Sequence, residues 1–401
     1  MMNMLFSRRR LLQGAAAAAG SSLLAACGSG GKTVTVQPRP QQPNFPPAGS
    51  GKKPTSSVKT PPQVSNGFDN SLRLFASSGY AEDSSRLETG LNRLFQAGFA
   101  VSNHQAAYRR FQRFAGSDAE RIADLQNVAN GRAPVPKVLM GVRGGYGAAR
   151  LLPHIDWASL AAKMRDKQTL LFGFSDVTAI QTALLAHGMP SFAGPMLYSE
   201  FAKAVPSPYT MDSFIQTTTS THTTVTVSAF QSSPVRNMEG TLWGGNLSVL
   251  ASLAGSPYLP DVKGGILFLE DVSEQPYRIE RMLYTLLLSG ILKKQQAIVL
   301  GDFRMGNIRD TYDSSYNLTA VAQTVSRAAG IPVYTGFPFG HIANKTTFPL
   351  GAHARLQGIG GGYQISFSGY PTLNPNALNL EALRPPPVGL ETGNEWGESE
   401  F

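Results

Sequence analysis

Ser175 stands in Gly173-Phe174-Ser175-Asp176, where the apolar run 169–174 gives way abruptly to a helical pattern over 177–187. A serine at such a strand-to-helix turn projects its hydroxyl at the tip. The helix amino terminus and its backbone amides face the same point and suit a developing oxyanion. The competing reading is that Ser175 caps the helix, which serine does well. The G-x-S-x-G elbow is incomplete, because Val177 occupies the place of its second glycine. Glu270 ends the apolar run 266–269 and precedes Asp271. A carboxylate there either orients a histidine or caps the segment that follows. His341 follows Phe337-Pro338-Phe339-Gly340, a turn-rich stretch that either presents the imidazole at a cleft or uses it structurally. None of the six histidines has metal-ligand spacing, and no cofactor is expected. The turn Arg143-Gly144-Gly145-Tyr146-Gly147 fits neither phosphate-binding glycine pattern. It reads as a tight strand-to-helix connection, or as a place where a substrate approaches the backbone closely.

The elements needed to position these groups repeat a strand, a glycine-rich turn and a helix. Strand-like runs at 71–76, 138–142 and 169–174 alternate with helical stretches at 86–98 and 177–187, and a helix opens at 148–152. This order predicts an α/β domain with a parallel sheet whose functional turns gather at the carboxyl ends of the strands. The threonine-rich segment 217–227 reads as strand or exposed connector. Beyond it, a second, mixed domain is expected, with an apolar helix at 247–253 and strands at 265–269, 297–300 and 331–334.

The 401 residues are 42% hydrophobic and 15% charged, enough for one large or two medium cores. Of the net charge of +9, eight units come from basic residues within 1–66, which contain no acidic residue. The remainder is close to neutral, so there is no electrostatic reason to expect a nucleic-acid partner. Residues 1–26 read as an export signal of twin-arginine type, with Arg8-Arg9-Arg10 before a short alanine-rich apolar run. The run ends in Leu24-Ala25-Ala26-Cys27, which resembles a lipoprotein box. Cys27 is the only cysteine, which excludes internal disulfides and a cysteine nucleophile in the folded part. These features predict lipidation at Cys27, attachment to a membrane through that lipid, and a periplasmic location. Segment 27–66 is read as a disordered tether, and 371–401 as an acidic tail, with Glu391, Glu395, Glu398 and Glu400 near its end. Between them the expected domains are 67–228 and 229–370.

Taken together, the blocks VRGGYGAARLLPHIDW (142–157), FGFSDVTAIQTALLAHG (172–188), FAGPML (192–197), EGTLWGGNLSVLASLAGSPYLP (239–260), GILFLEDVSEQPYRIERML (265–283) and FGH with PLGAHA (339–354) resemble the LD-carboxypeptidase family of serine peptidases. The resemblance implies a flavodoxin-like or glutamine-amidotransferase-like amino domain with a smaller β-rich carboxyl domain, and a homodimer. It assigns Ser175 as nucleophile, Glu270 as acid and His341 as base, with backbone amides of Gly145 and Asp176 as the oxyanion hole. The implied activity is release of the terminal D-alanine from a peptidoglycan-derived tetrapeptide through an acyl-enzyme. Two other functions fit the same pattern: an immunity-type peptidase acting on a peptide-nucleotide antibiotic, and a non-catalytic, lipid-anchored murein-peptide binder. Many relatives are cytoplasmic enzymes without an export signal, and here this chain departs from them.

Overall fold

A computed structural model describes residues 69–385. The segments read as signal and tether, Cys27, and the glutamates expected at the end of the tail lie outside the described residues. The chain opens with β1 (Ser71–Phe75), α1 (Ser84–Gln96), β2 (Ala100–Ser102), α2 (Asp118–Ala129), β3 (Val138–Gly141), α3 (Trp157–Lys167), β4 (Leu170–Gly173), α4 (Thr178–Leu185), β5 (Ser191–Ala193) and α5 (Pro208–Thr219). It continues through β6 (His222–Val227), β7 (Met238–Asn246), α6 (Leu247–Ser252), β8 (Gly265–Glu270), α7 (Pro276–Leu288), β9 (Gln295–Leu300), α8 (Leu318–Ala329) and β10 (Val333–Tyr334). The last strands are β11 (Phe348–Leu350), β12 (Ala352–Ile359) and β13 (Gly362–Ser368).

Two sheets result. The first has the order β11-β5-β4-β3-β1-β2 and is parallel except for β11. Its central strands β3 and β4 are buried at every position, and for that reason they read as continuous apolar runs rather than alternating ones. The second has the order β10-β9-β8-β7-β12-β13-β6, with a parallel half from β10 to β7 and an antiparallel half beyond it. The architecture is thus mixed α/β, a parallel-sheet amino region followed by a sheet-rich carboxyl region.

Sheet membership does not follow the boundary expected at 228. Strand β6 lies before that point yet pairs with β13 in the second sheet, and β11 returns from the carboxyl half to pair with β5 in the first. Edge pairing depends on long-range partners, so neither assignment is carried by local sequence. The segment 371–385, expected as the start of an acidic tail, is part of the fold. Leu373, Leu380 and Leu383 are buried, and the Asn379 N–H donates to the carbonyl of Ala97 at the end of α1. Helix 148–152 is a 3-10 turn over Ala148–His154 that contains Pro153.

Where the sheets meet, Phe348 on β11 packs its ring 4.9 Å from Phe268 on β8, 4.8 Å from Phe337 and 5.2 Å from Phe339. Phe339 in turn lies edge-on to Phe174, at 5.7 Å. Buried aromatic clusters of this kind combine large apolar burial with preferred edge geometry. This one runs from the joint between the sheets to the residue beside Ser175. A second core, with Trp243, Leu283, Ile298 and Val325, fills the space between the carboxyl sheet and helices α6 to α8. Among the described residues, no helix is long and apolar enough to cross a membrane.

Candidate active site

Ser175 is separated from the end of β4 by Phe174 alone and has φ of +59°, in the left-handed region. For a residue with a Cβ this conformation costs about 1–3 kcal/mol, and it persists only where surrounding packing imposes it. The packing is visible at Gly173, where an added Cβ would overlap Val177. Valine at the second-glycine position of the elbow is therefore accommodated by the glycine two residues before the serine. The capping reading is not what the fold uses: Phe174 holds the cap position, and no side chain caps this turn.

On the carboxyl sheet, Glu270 ends β8 in register with Asn246, which ends β7. Glu270 is fully buried and each of its oxygens has a partner. Oε2 accepts from His341 Nδ1 at 2.9 Å, and Oε1 accepts from Asn246 Nδ2 at 3.2 Å. With Nδ1–H donating to the carboxylate, the unprotonated Nε2 is the ring nitrogen left to accept a proton. The His341 carbonyl accepts from Arg304 Nη1 at 3.3 Å. Burial works to lower the imidazole pKa, but the charge and hydrogen bond of Glu270, joined by Asp271, outweigh it and raise the pKa above 6.5. The Lys345 charge acts in the lowering direction. Asp271 is itself raised by burial, against its bond from Ser248, and Glu270 pushes it further up.

The two halves share one cleft of ≈ 290 Å³, lined by Ser175, His341, Gly144, Gly145, Phe174 and Met196 among others. The Phe174 ring lies 5.2 Å from the imidazole, edge-on. The three residues expected to act together therefore do converge. Gly145 also lines the cleft, with φ of +111°. Asp176 turns its side chain away into the protein, where Oδ2 accepts the Ala148 N–H at 2.8 Å. Burial raises the Asp176 pKa, opposed by the Ser78 hydroxyl and the Ala148 amide.

Gly144 sits against the serine: a Cβ there would stand 2.9 Å from both Ser175 Cβ and Oγ. Gly144→Ala is expected to lower kcat/KM by about 10–100-fold by displacing the hydroxyl, with the fold retained. Steady-state kinetics with a melting curve checks this, and unchanged kinetics would show that the serine has room to spare.

Three features escaped the reading of the sequence. Asn246 bridges Glu270 and Asp271 through Nδ2 and caps α6 through Oδ1, which accepts from Val249 N. An asparagine between a strand and an apolar helix was the available signal. Glu200 and Lys345 form a fully buried ion pair, 3.6 Å apart, and the Lys345 ammonium lies 5.7 Å from the Phe174 ring. No local pattern marks either residue. The π-turn Leu197–Phe201 brings Tyr198 to the cleft, and irregular helical turns of this type often mark functional sites.

Family models for the amino-terminal and carboxyl-terminal domains of LD-carboxypeptidases match residues 72–194 and 239–356, and the chain belongs to that family. Among individual proteins, it is 32% identical over 280 residues to a probable murein peptide carboxypeptidase of Bacillus subtilis, covering 68% of this chain and 85% of that one. It is 32% identical over 258 residues to the murein tetrapeptide carboxypeptidase of Pseudomonas aeruginosa, covering 62% and 81%. The crystal structure of a muramoyltetrapeptide carboxypeptidase from Oxalobacter formigenes superposes with a TM-score of 0.68 at 41% identity, covering 75% of this chain and all of that one. Family and relatives are thus carboxypeptidases, which are hydrolases.

Proposed function

We propose that this protein is a serine-type LD-carboxypeptidase that releases the terminal D-alanine of murein tetrapeptides through an acyl-enzyme. The observation that carries the reading is the 2.9 Å His341–Glu270 pair opening onto the same cleft as a strained Ser175. His341 Nε2 takes the Ser175 proton as Oγ attacks the carbonyl of the L-centred penultimate residue, while Glu270 holds the ring and stabilises its charged form. The tetrahedral intermediate collapses as the imidazolium returns the proton to the leaving nitrogen. Water, activated by the same imidazole, then hydrolyses the ester and restores the serine.

Two backbone amides support the oxyanion in this reading. The Gly144 carbonyl accepts from Gly79 N at 3.0 Å, and since a trans peptide points its N–H opposite to its C=O, the Gly145 N–H faces away from Gly79. The Asp176 N–H lies in the first turn after β4, where helical amides lack intrahelical partners. The mechanism draws on no cofactor. Two relatives with murein names are 32% identical to this chain, against 28% for a microcin C7 self-immunity protein of Escherichia coli, and this favours a murein peptide over a peptide-nucleotide substrate. The amino-terminal motif adds a proposed periplasmic location with a lipid on Cys27.

Mass spectrometry of muropeptides incubated with the protein tests the reading. A tetrapeptide is expected to lose one alanine and become a tripeptide. Cleavage of a peptidyl-nucleotide amide with tetrapeptides untouched would overturn it in favour of an immunity-type peptidase, and binding without turnover would favour the non-catalytic murein-peptide binder.

A further inference from the structure

Resting on that reading, we propose that Arg86 and Arg143, framing Tyr198 on one wall of the cleft, form the subsite for the free carboxylate of the leaving residue. An exopeptidase of this kind must bury an anionic chain end near the scissile bond, and a carboxylate moved out of water needs a cation to meet it. Among the described residues, the basic side chains lining this cleft apart from His341 are Arg86 and Arg143. They come from different elements and meet on one ring. Arg86, in the first turn of α1, places its guanidinium carbon 4.4 Å over the Tyr198 ring, and its Nη2 lies 3.4 Å from the Tyr198 carbonyl. Arg143 places its guanidinium carbon 6.0 Å from the same ring, and its Nη1 donates to the Tyr80 carbonyl at 2.8 Å.

The ring is itself held at both ends. Tyr198 N donates to the Val142 carbonyl at 2.9 Å, and its hydroxyl accepts from Asp83 N at 3.2 Å. Guanidinium groups held beside a ring and against backbone carbonyls lose less freedom on binding a carboxylate than unsupported ones. Arg143 directly precedes Gly144, which packs against Ser175, and its side chain lines the same cleft. The carboxylate of the leaving residue is separated from the scissile nitrogen by a single carbon, so its subsite belongs to the cleft that holds Ser175. Among the described residues lining the cleft, Glu82, exposed on the same wall, is the one carboxylate set against these two arginines. One anionic terminus is therefore favoured over a neutral continuing chain. The subsite gives the cleft a physical reason to act at chain ends.

The test compares kcat/KM for a tetrapeptide bearing a free terminal carboxylate with that for its terminal amide, using the full-length protein and its Arg86→Gln and Arg143→Gln variants. The unaltered protein is expected to prefer the acid by about 100-fold. In each variant the acid should lose about 10–100-fold, chiefly through KM, and the amide much less, so the preference collapses. Arg143→Lys should recover part of it. Equal losses on acid and amide would overturn the assignment. So would a preference that stays intact in both variants, or one that responds instead to amidation of the third residue's side-chain carboxylate. Failure of the unaltered protein to release D-alanine from the acid or D-alaninamide from the amide would refute the proposed activity itself.

Discussion

Replacing Ser175 by alanine is expected to reduce kcat for D-alanine release by about 10⁴-fold or more while leaving the melting temperature within a few degrees of the parent. The change removes one oxygen from a turn whose conformation is imposed by the packing of Gly173 against Val177 and of Phe174 against Phe339 and His341. None of those contacts uses the hydroxyl, so the cleft should keep its shape and still bind substrate. Muropeptide turnover together with a binding measurement on the variant separates the two effects. Near-normal turnover by the purified variant would remove Ser175 from the mechanism, and a collapsed fold would show that the hydroxyl has a structural task.

Glu270→Gln should be nearly as damaging, with a fall in kcat of about 10³–10⁴-fold. The carboxylate accepts one hydrogen bond on each oxygen, from His341 and from Asn246. An amide can accept on only one side, and its NH₂ must face a donor on the other. The buried mismatch misaligns the ring, and loss of the charge withdraws the main stabilisation of the imidazolium. His341 works as a base only when neutral, so the acid limb of the pH–rate profile reports its raised pKa, and that limb should move to lower pH in the variant. Because the folded value lies above the ordinary 6.5, this group contributes stability that is fully present below about pH 6.5 and is lost as pH rises through the folded pKa. The groups that bear on the ring are Glu270, Asp271 and Lys345, with Arg304 on the backbone carbonyl. Thermal melts should therefore show the parent losing more stability between pH 6 and pH 9 than Glu270→Gln does. Kinetic profiles of the two proteins that coincide on the acid side would mean that another group sets the limb.

Much of the frame was legible along the chain because buried parallel strands announce themselves. The runs at β3, β4 and β8 are apolar at nearly every position, since both faces are covered, and each stops at a glycine, serine or carboxylate. The expected nucleophile and acid stand at such a stop or in the turn after one, and the expected base lies in the turn-rich loop between β10 and β11. Less legible were the edges and the supports. Nothing in His222–Val227 or Phe348–Leu350 says which sheet each will join, because an edge strand takes its identity from its partner. The leucines of 371–385 sit among prolines and asparagines without a period, and it is the distant helices α1 and α5 that give this segment its anchorage, through Ala97 and Thr218.

By itself, then, the order of residues determined the strand-turn-helix repeat, the chemical types at its turns and the pairing of an apolar run with Ser175, Glu270 or His341. These are local matters of side-chain period and backbone preference. Only the tertiary structure decided that Glu270 and His341, 71 positions apart, would meet at 2.9 Å. It also decided that Ser175 would take a left-handed conformation rather than cap its helix, and that two arginines would close on one tyrosine. The placing of the Glu270–His341 pair beside Ser175 depends on how the aromatic cluster around Phe348 seats one sheet against the other. Close packing between distant segments acts over a few ångströms in space and leaves no period in sequence.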